Sequence, residues 1–444
     1  MSLADLAARK RKRAARSPQK RRSVNDGARR MRAGERRRLL VLGLPTFGLA
    51  LAITTVSSYL PVVASNFTGS PAVVGILIGG EGLMALFVPL LVGAWSDRLS
   101  SRIGQRLPFV LVATPLIAAA LVMMALAKSL LPIAIAVVVF FAAYYIAYEP
   151  YRALYPDLFG DEIAGRAQAN QAVWRGAGTI VALASGGLLL SAATLLPFAV
   201  SAALLVAAVA IFMALVTASG DLRRRQRAPA GSVRAAGARL FTLVAKHDAL
   251  RAYLVANALW ELSLGALKTF IVLYVTSGLG YSLSASSAII GLVAAVVLAG
   301  AIVSGKLADR FGKLRAMRFG LWPYGALLAV PIFTTSPGVL GPAAILIALG
   351  GGMIMSLPYA LLMPLMPRDE HGSLTGFYSL SRGIGMMLGP LLAGIAVQSL
   401  GGVFDSTEGY GAMWIVCSGG IIASIPMLRW LRDESEDRER LKRE

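Results

Sequence analysis

The chain has 444 residues, 56% of them hydrophobic and 15% charged, with a mean hydropathy of +0.67. Soluble domains carry about a quarter charged residues, so the composition excludes one and indicates an all-α polytopic membrane protein. A net charge of +21 would suit nucleic acid, but its placement argues otherwise, and one cysteine with two histidines leaves no disulfide and no plausible metal cluster.

Residues 1–38 form a basic tail, with runs at Arg9 to Arg13, Lys20 to Arg22 and Arg36 to Arg38. The tail has no short apolar core ending in a cleavage site, so no cleavable signal peptide is expected. Contact with anionic lipid is the favoured reading of these runs over nucleic acid.

A membrane-spanning helix needs about 20 apolar residues. Twelve segments meet this, at roughly 39–64, 71–95, 108–127, 130–156, 168–191, 194–218, 251–276, 285–305, 316–334, 339–365, 373–399 and 411–431. If the N-terminus is cytoplasmic, 40 of the 44 Lys and Arg fall on the inside. Cationic side chains near span ends resist translocation. Both termini are therefore expected in the cytoplasm, and the plasma (inner) membrane is the expected location. The polar stretch between the sixth and seventh segments divides the chain into a six-helix bundle at 39–218, a cytoplasmic linker at 219–250, a second bundle at 251–431 and a tail at 432–444.

The two halves repeat each other. Gly93, Asp97 and Arg98 recur as Gly305, Asp309 and Arg310; Pro150-Tyr-Arg-Ala-Leu-Tyr-Pro156 recurs as Pro358-Tyr-Ala-Leu-Leu-Met-Pro364; Arg175-Gly-x-Gly178 recurs as Arg382-Gly-x-Gly385. A doubled six-helix chain with a cytoplasmic central loop is expected to form two bundles related by an axis along the membrane normal, the major facilitator fold.

The loop after the second segment contains Gly93, Asp97, Arg98, Arg102, Gly104 and Arg106, and its second copy has Gly305, Asp309, Arg310 and Gly312. A carboxylate at the end of one helix can pair with Arg and with the positive N-terminus of a neighbour, closing one face in one conformation and releasing it in another. The alternative is a solvated turn that only sets topology.

These motifs resemble the major facilitator superfamily. The first half looks specifically like the plant-type sucrose/proton symporters and the glycoside-pentoside-hexuronide:cation symporters, through residues 89–109 and through Pro150, Arg152, Ala153, Leu154, Asp157 and Leu158. The resemblance implies a saccharide or glycoside carried with a proton by alternating access. It also implies an acidic residue midway along the fourth segment, where this chain has Phe140, so the coupling carboxylate is expected elsewhere.

Ionisable groups inside hydrocarbon need a partner, a cavity or a task. Glu81 is the first candidate for the proton site, with Glu149 and Glu261 after it; each could instead be tied down structurally, Glu149 by Arg175 or Arg152. Glu261 and Lys268 are two turns apart on one helix face and could both meet solute, or Lys268 could reach outward while Glu261 pairs with another helix. Arg175 and Arg382 occupy equivalent places and suggest a shared inner gate or a solute contact. Sugars need hydroxyl partners and aromatic faces, which Tyr59, Tyr148, Asn170, Trp174, Asn257, Trp260 and Tyr378 could offer.

The expectation is thus a secondary active transporter and not an enzyme: a monomeric proton-coupled symporter of a small saccharide in the lipid bilayer. It needs no cofactor beyond a coupling ion, H⁺ or alternatively Na⁺, and no nucleic acid partner. An exporter of amphipathic compounds is the alternative within transport, kept open by Met353, Met355, Met363 and Met366. A non-transporting sensor or delivery protein is the alternative outside it.

Overall fold

The computed structural model describes residues 33–96, 99, 101, 103–158, 161–219, 242, 247–362 and 374–431. Among these are twelve helices long and apolar enough to cross a membrane, and no strand. Their α-helices are α1 (Ala33–Ser65), α2 (Pro71–Ser96), α3 (Leu107–Leu126), α4 (Leu130–Leu158), α5 (Asp161–Ala192), α6 (Leu195–Ser219), α7 (Asp248–Leu273), α8 (Leu283–Phe311), α9 (Lys313–Phe333), α10 (Pro337–Ser356), α11 (Leu374–Ser399) and α12 (Met413–Ser424), the last being the middle of a span that runs from Tyr410 to Trp430.

The packing repeats as the motifs do. In the first half α1 packs on α5 and α6, α3 on α4 and α6, and α2 on α4. Adding six to each label gives pairs found in the second half: α7 on α11 and α12, α9 on α10 and α12, α8 on α10. The halves meet through α2 against α11 and α5 against α8, which exchange under the same operation, and through α1 against α7. A hydrophobic interior cannot tell helices apart in lipid, where tails are as apolar as leucine, so close packing of small residues does the sorting. A Cβ on Gly82 of α2 would lie 2.3 Å from the Met387 amide of α11, and one on Gly75 would lie 2.3 Å from the Pro390 carbonyl.

Several boundaries differ from the sequence expectation. Helix α8 runs on to Phe311, so Gly305 to Arg310 lie in its last turns and not in a loop; Gly312, at φ 93°, makes the turn into α9. Helix α5 starts at Asp161, because its first polar turns extend beyond the apolar stretch. The segment expected at 339–365 is interrupted at Leu357 before a short helical turn, Pro358–Leu362. Proline has no N–H to give the helix ladder, and the short turn is tied to α7, where Tyr253 Oη donates to the Pro358 carbonyl at 2.9 Å. The equivalent Pro150 sits within continuous α4, so the two copies of this motif differ in backbone. After Ser424 the last span tightens into a 3₁₀ helix, Ile425–Trp430, with Pro426 in its first turn.

Candidate functional site

The side-chain hydrogen bonds between the halves gather at the face opposite the termini. Ser70 Oγ donates to Gln398 Oε1 at 2.6 Å, and Ser191 and Ser284 hydroxyls meet at 3.1 Å. Ser287 Oγ accepts from the Gly187 amide at 2.6 Å and shares a bond of 2.7 Å with the Tyr59 hydroxyl, which also donates to the Leu183 carbonyl. The Tyr59 ring fits only because residue 186 has no side chain, since a Cβ there would lie 2.1 Å from the ring.

Deeper in, α2 and α7 join by charge. Lys268 Nζ lies 3.3 Å from Glu81 Oε2, which also accepts from Ser57 Oγ at 3.0 Å. The Glu81 side chain is 7% exposed and that of Lys268 34%. Two turns before Lys268, Glu261 pairs with Arg382 of α11 at 3.6 Å, within the second half. The face shared by Glu261 and Lys268 therefore carries two separate pairs, forming an alternating row Glu81, Lys268, Glu261, Arg382.

On the first-half side Arg175 donates to the Tyr148 hydroxyl, and its guanidinium carbon lies 5.1 Å from the Tyr148 ring centre. Tyr148 stacks on Tyr144 with centroids 5.3 Å apart, and Tyr144 on Phe140 at 6.2 Å. Arg152, one turn beyond Tyr148, interacts with the same tyrosine and with Glu149. Neither Arg175 nor Arg152 forms an ion pair with Glu149, contrary to one expectation. In the second half, Tyr378 of α11 stands edge-on to Tyr359 at 5.4 Å and interacts with Tyr148, Arg175 and Arg382. The equivalent arginines thus do different work: Arg382 has a carboxylate, Arg175 a tyrosine.

Five of the residues expected to line a sugar cavity are drawn into packing instead. Trp260 is fully buried and donates to Ser424 Oγ of α12 at 2.8 Å; Asn257, also fully buried, donates to Ser381 Oγ at 2.8 Å. Asn170 donates to the Leu39 carbonyl at 2.7 Å, and Trp174 packs edge-on against Phe47 at 6.2 Å where Gly43 makes room. Tyr59 belongs to the closed face described above. A polar or aromatic side chain on a helix has the same sequence signature whether it faces a neighbour or a cavity. Of the exporter's methionines, Met353 is buried against Gly320, Met355 is exposed, and Met363 and Met366 lie outside the described residues.

The gating motifs sit at the termini end. Asp97, Arg98 and Arg102 lie outside the described residues, as does the side chain of Asp157. Ser96 Oγ donates to the Gly93 carbonyl at 3.0 Å, and Gly104, at φ 98°, turns the chain toward Arg106, which precedes α3. A Cβ on Gly93 or Gly305 would meet open space. Asp309 and Arg310 are exposed; Arg310 lies over the Phe311 ring at 5.2 Å, and Asp309 has no ion pair among the described residues. The Ser57 contribution escaped sequence reading; Ser57 falls one turn from Ile53 in an apolar helix, and only its bond to Glu81 distinguishes it.

Solved structures share this fold. A nucleoside transporter superposes with a TM-score of 0.72 at 17% identity, covering 89% of this chain and 99% of that one. A bacterial homologue of the human lysosomal transporter Spinster, inward-facing and unoccupied, gives 0.69 at 16%, covering 90% and 95%. A bacterial homologue of the iron transporter ferroportin, also inward-facing, gives 0.66 at 15%, covering 90% and 99%. In sequence, Multidrug resistance protein 3 of Bacillus subtilis (strain 168) is 26% identical over 145 residues, 32% of this chain, and the chain spans only 27% of that protein's length. The sequence profile of the Major Facilitator Superfamily matches residues 42–321 and 261–444. With its duplicated six-helix halves and these matches, the chain belongs to the Major Facilitator Superfamily and is a multi-pass membrane transporter.

Proposed function

We propose that this transporter is a proton-coupled symporter of a small polar solute, working by alternating access in the plasma (inner) membrane with both termini cytoplasmic. The observation that carries the reading is the Glu81–Lys268 pair, which joins the two halves at the centre of the molecule. A proton on Glu81 removes the charge that holds Lys268, and an unpaired buried ammonium is costly. Proton uptake thereby loosens the halves, and solute can supply the missing interaction. With the termini inside, the face sealed by Tyr59, Ser287, Ser70 and Gln398 is the outer one, and the solute path opens inward.

A saccharide or glycoside is the solute that the motifs at 89–109 and 150–158 favour. The charged centre and the withdrawal of Asn257, Trp260 and Asn170 into packing favour a charged solute over a neutral one. The reading includes a monomer with anionic lipid against the basic tail. Export of amphipathic compounds is the second reading, favoured by the partial similarity to a multidrug resistance protein. Purified protein in proteoliposomes decides between them: solute accumulation driven by an imposed pH gradient, lost in Glu81→Gln, supports symport. Dye efflux against that gradient would support the second reading.

A further inference from the structure

Among the described residues, the charges on the inward parts of the helices do not balance. Four cations, Arg152, Arg175, Lys268 and Arg382, stand among three carboxylates, Glu81, Glu149 and Glu261. Lys268 and Arg382 each have a carboxylate within ion-pair distance, at 3.3 and 3.6 Å. Neither Arg152 nor Arg175 has a carboxylate within ion-pair distance among the described residues; Glu149 lies within electrostatic reach of Arg152, and Arg175 has the Tyr148 hydroxyl and ring face.

A cation–π contact and one hydroxyl only partly replace a counter-ion for a guanidinium removed from bulk water. Arginine's planar fork suits a carboxylate, which it can hold through two parallel charge-assisted bonds. The surroundings are aromatic: Tyr148 and Tyr144 lie nearly parallel, at 13°, on the first-half side, and Tyr378, edge-on to Tyr359, comes from the second half within electrostatic reach of Arg175. An excess of one positive charge matches a monoanion better than a phosphate dianion.

We infer that the solute is a small organic acid, whose single carboxylate pairs with Arg175 and whose ring-sized body lies between Tyr148 and Tyr378. This rests on the reading of the centre as the solute site and narrows the solute class. Tyr148 is then a specificity residue: its hydroxyl and ring hold the guanidinium in place while the site is empty, and its ring flanks the solute when it is full. Carrying the acid with one proton on Glu81 makes each cycle electroneutral.

The test is ligand-induced stabilisation of purified protein in detergent. Monocarboxylates of ring size, such as 4-hydroxybenzoate, cinnamate and gluconate, are compared with their isosteric amides, with phenyl phosphate and with sucrose. At least one acid is expected to raise the unfolding temperature while its amide does not, and Arg175→Gln is expected to weaken that acid roughly ten- to hundredfold, the loss of a charge-assisted pair. Arg175→Lys should retain part of the effect. Stabilisation by amides or sucrose equal to that by acids overturns the inference, as does an unchanged acid effect in Arg175→Gln, stronger binding of phenyl phosphate, or no stabilisation by any acid. Because the acid and amide are compared on the unaltered protein, the contrast stands even if Arg175→Gln fails to fold. Proton coupling is read separately through Glu81→Gln, so acid binding without coupling, or coupled transport of a neutral solute, assigns a failure to one idea or the other.

Discussion

Glu81 of α2 and Lys268 of α7 form an ion pair 187 positions apart in sequence, one from each half, with Ser57 of α1 bonded to the same carboxylate oxygen. Three helices therefore converge on one proton-sized decision.

Charge deletion on one side should reveal this coupling. Lys268→Met leaves Glu81 buried without its cation and is expected to destabilise the fold by up to about 3 kcal/mol, below the usual range for a fully buried pair because Lys268 is partly exposed. The double variant with Glu81→Gln should recover most of that loss. A double-mutant cycle by thermal unfolding measures it, and simple additivity would mean that the pair does not form.

The sealed face should loosen without Tyr59's hydroxyl. Tyr59→Phe keeps the ring over Gly186 but removes the bonds to Leu183 and Ser287. Only the Ser287 bond crosses between the halves, so at about 1 kcal/mol per buried bond the closed population falls roughly fivefold relative to the open one. Maleimide labelling of Ser191→Cys from the side opposite the termini should accelerate accordingly; an unchanged rate would show that the hydroxyl does not hold the face shut.

Closing this face also requires α2 and α11 to touch backbone to backbone. Gly82→Val places atoms where the Met387 amide now lies, and the helices must part. Cysteines at Ser70 and Gln398, whose side chains are in hydrogen-bond contact, should crosslink readily in the parent chain and poorly beside Gly82→Val. Equal crosslinking would place the seam elsewhere.

Trp260 and Asn257 offer the opposite control. Trp260→Phe leaves Ser424 without its donor, and Asn257→Ala removes the bond to Ser381; each should cost about 1–3 kcal/mol of stability. Neither should change solute affinity measured by isothermal titration. A tenfold loss of affinity with unaltered stability would return them to the cavity.

The division between legible and hidden follows from what each signal measures. Hydropathy reports a helix's solvent averaged over its whole length, so the twelve spans emerged readily, and the recurrence of Gly93, Asp97, Arg98 as Gly305, Asp309, Arg310 announced the duplication. Glu81, Glu261, Lys268, Arg175 and Arg382 stood out because charge is rare in hydrocarbon. Their partners did not. The alternative that Glu149 pairs with Arg175 or Arg152 is not met by an ion pair among the described residues, and Arg175 turned to Tyr148.

Composition and the internal repeat by themselves determined that this chain spans a membrane as two like bundles, because burying apolar length and matching motifs are properties of residues in order. Which charge meets which, which tyrosine closes the far face and which tryptophan is mere packing were decided only in three dimensions. Helix rotation about its axis, set by the contacts of glycines such as Gly82 and Gly186 with neighbouring helices, turns each polar side chain toward a partner or a cavity, and that rotation leaves little trace in the order of residues.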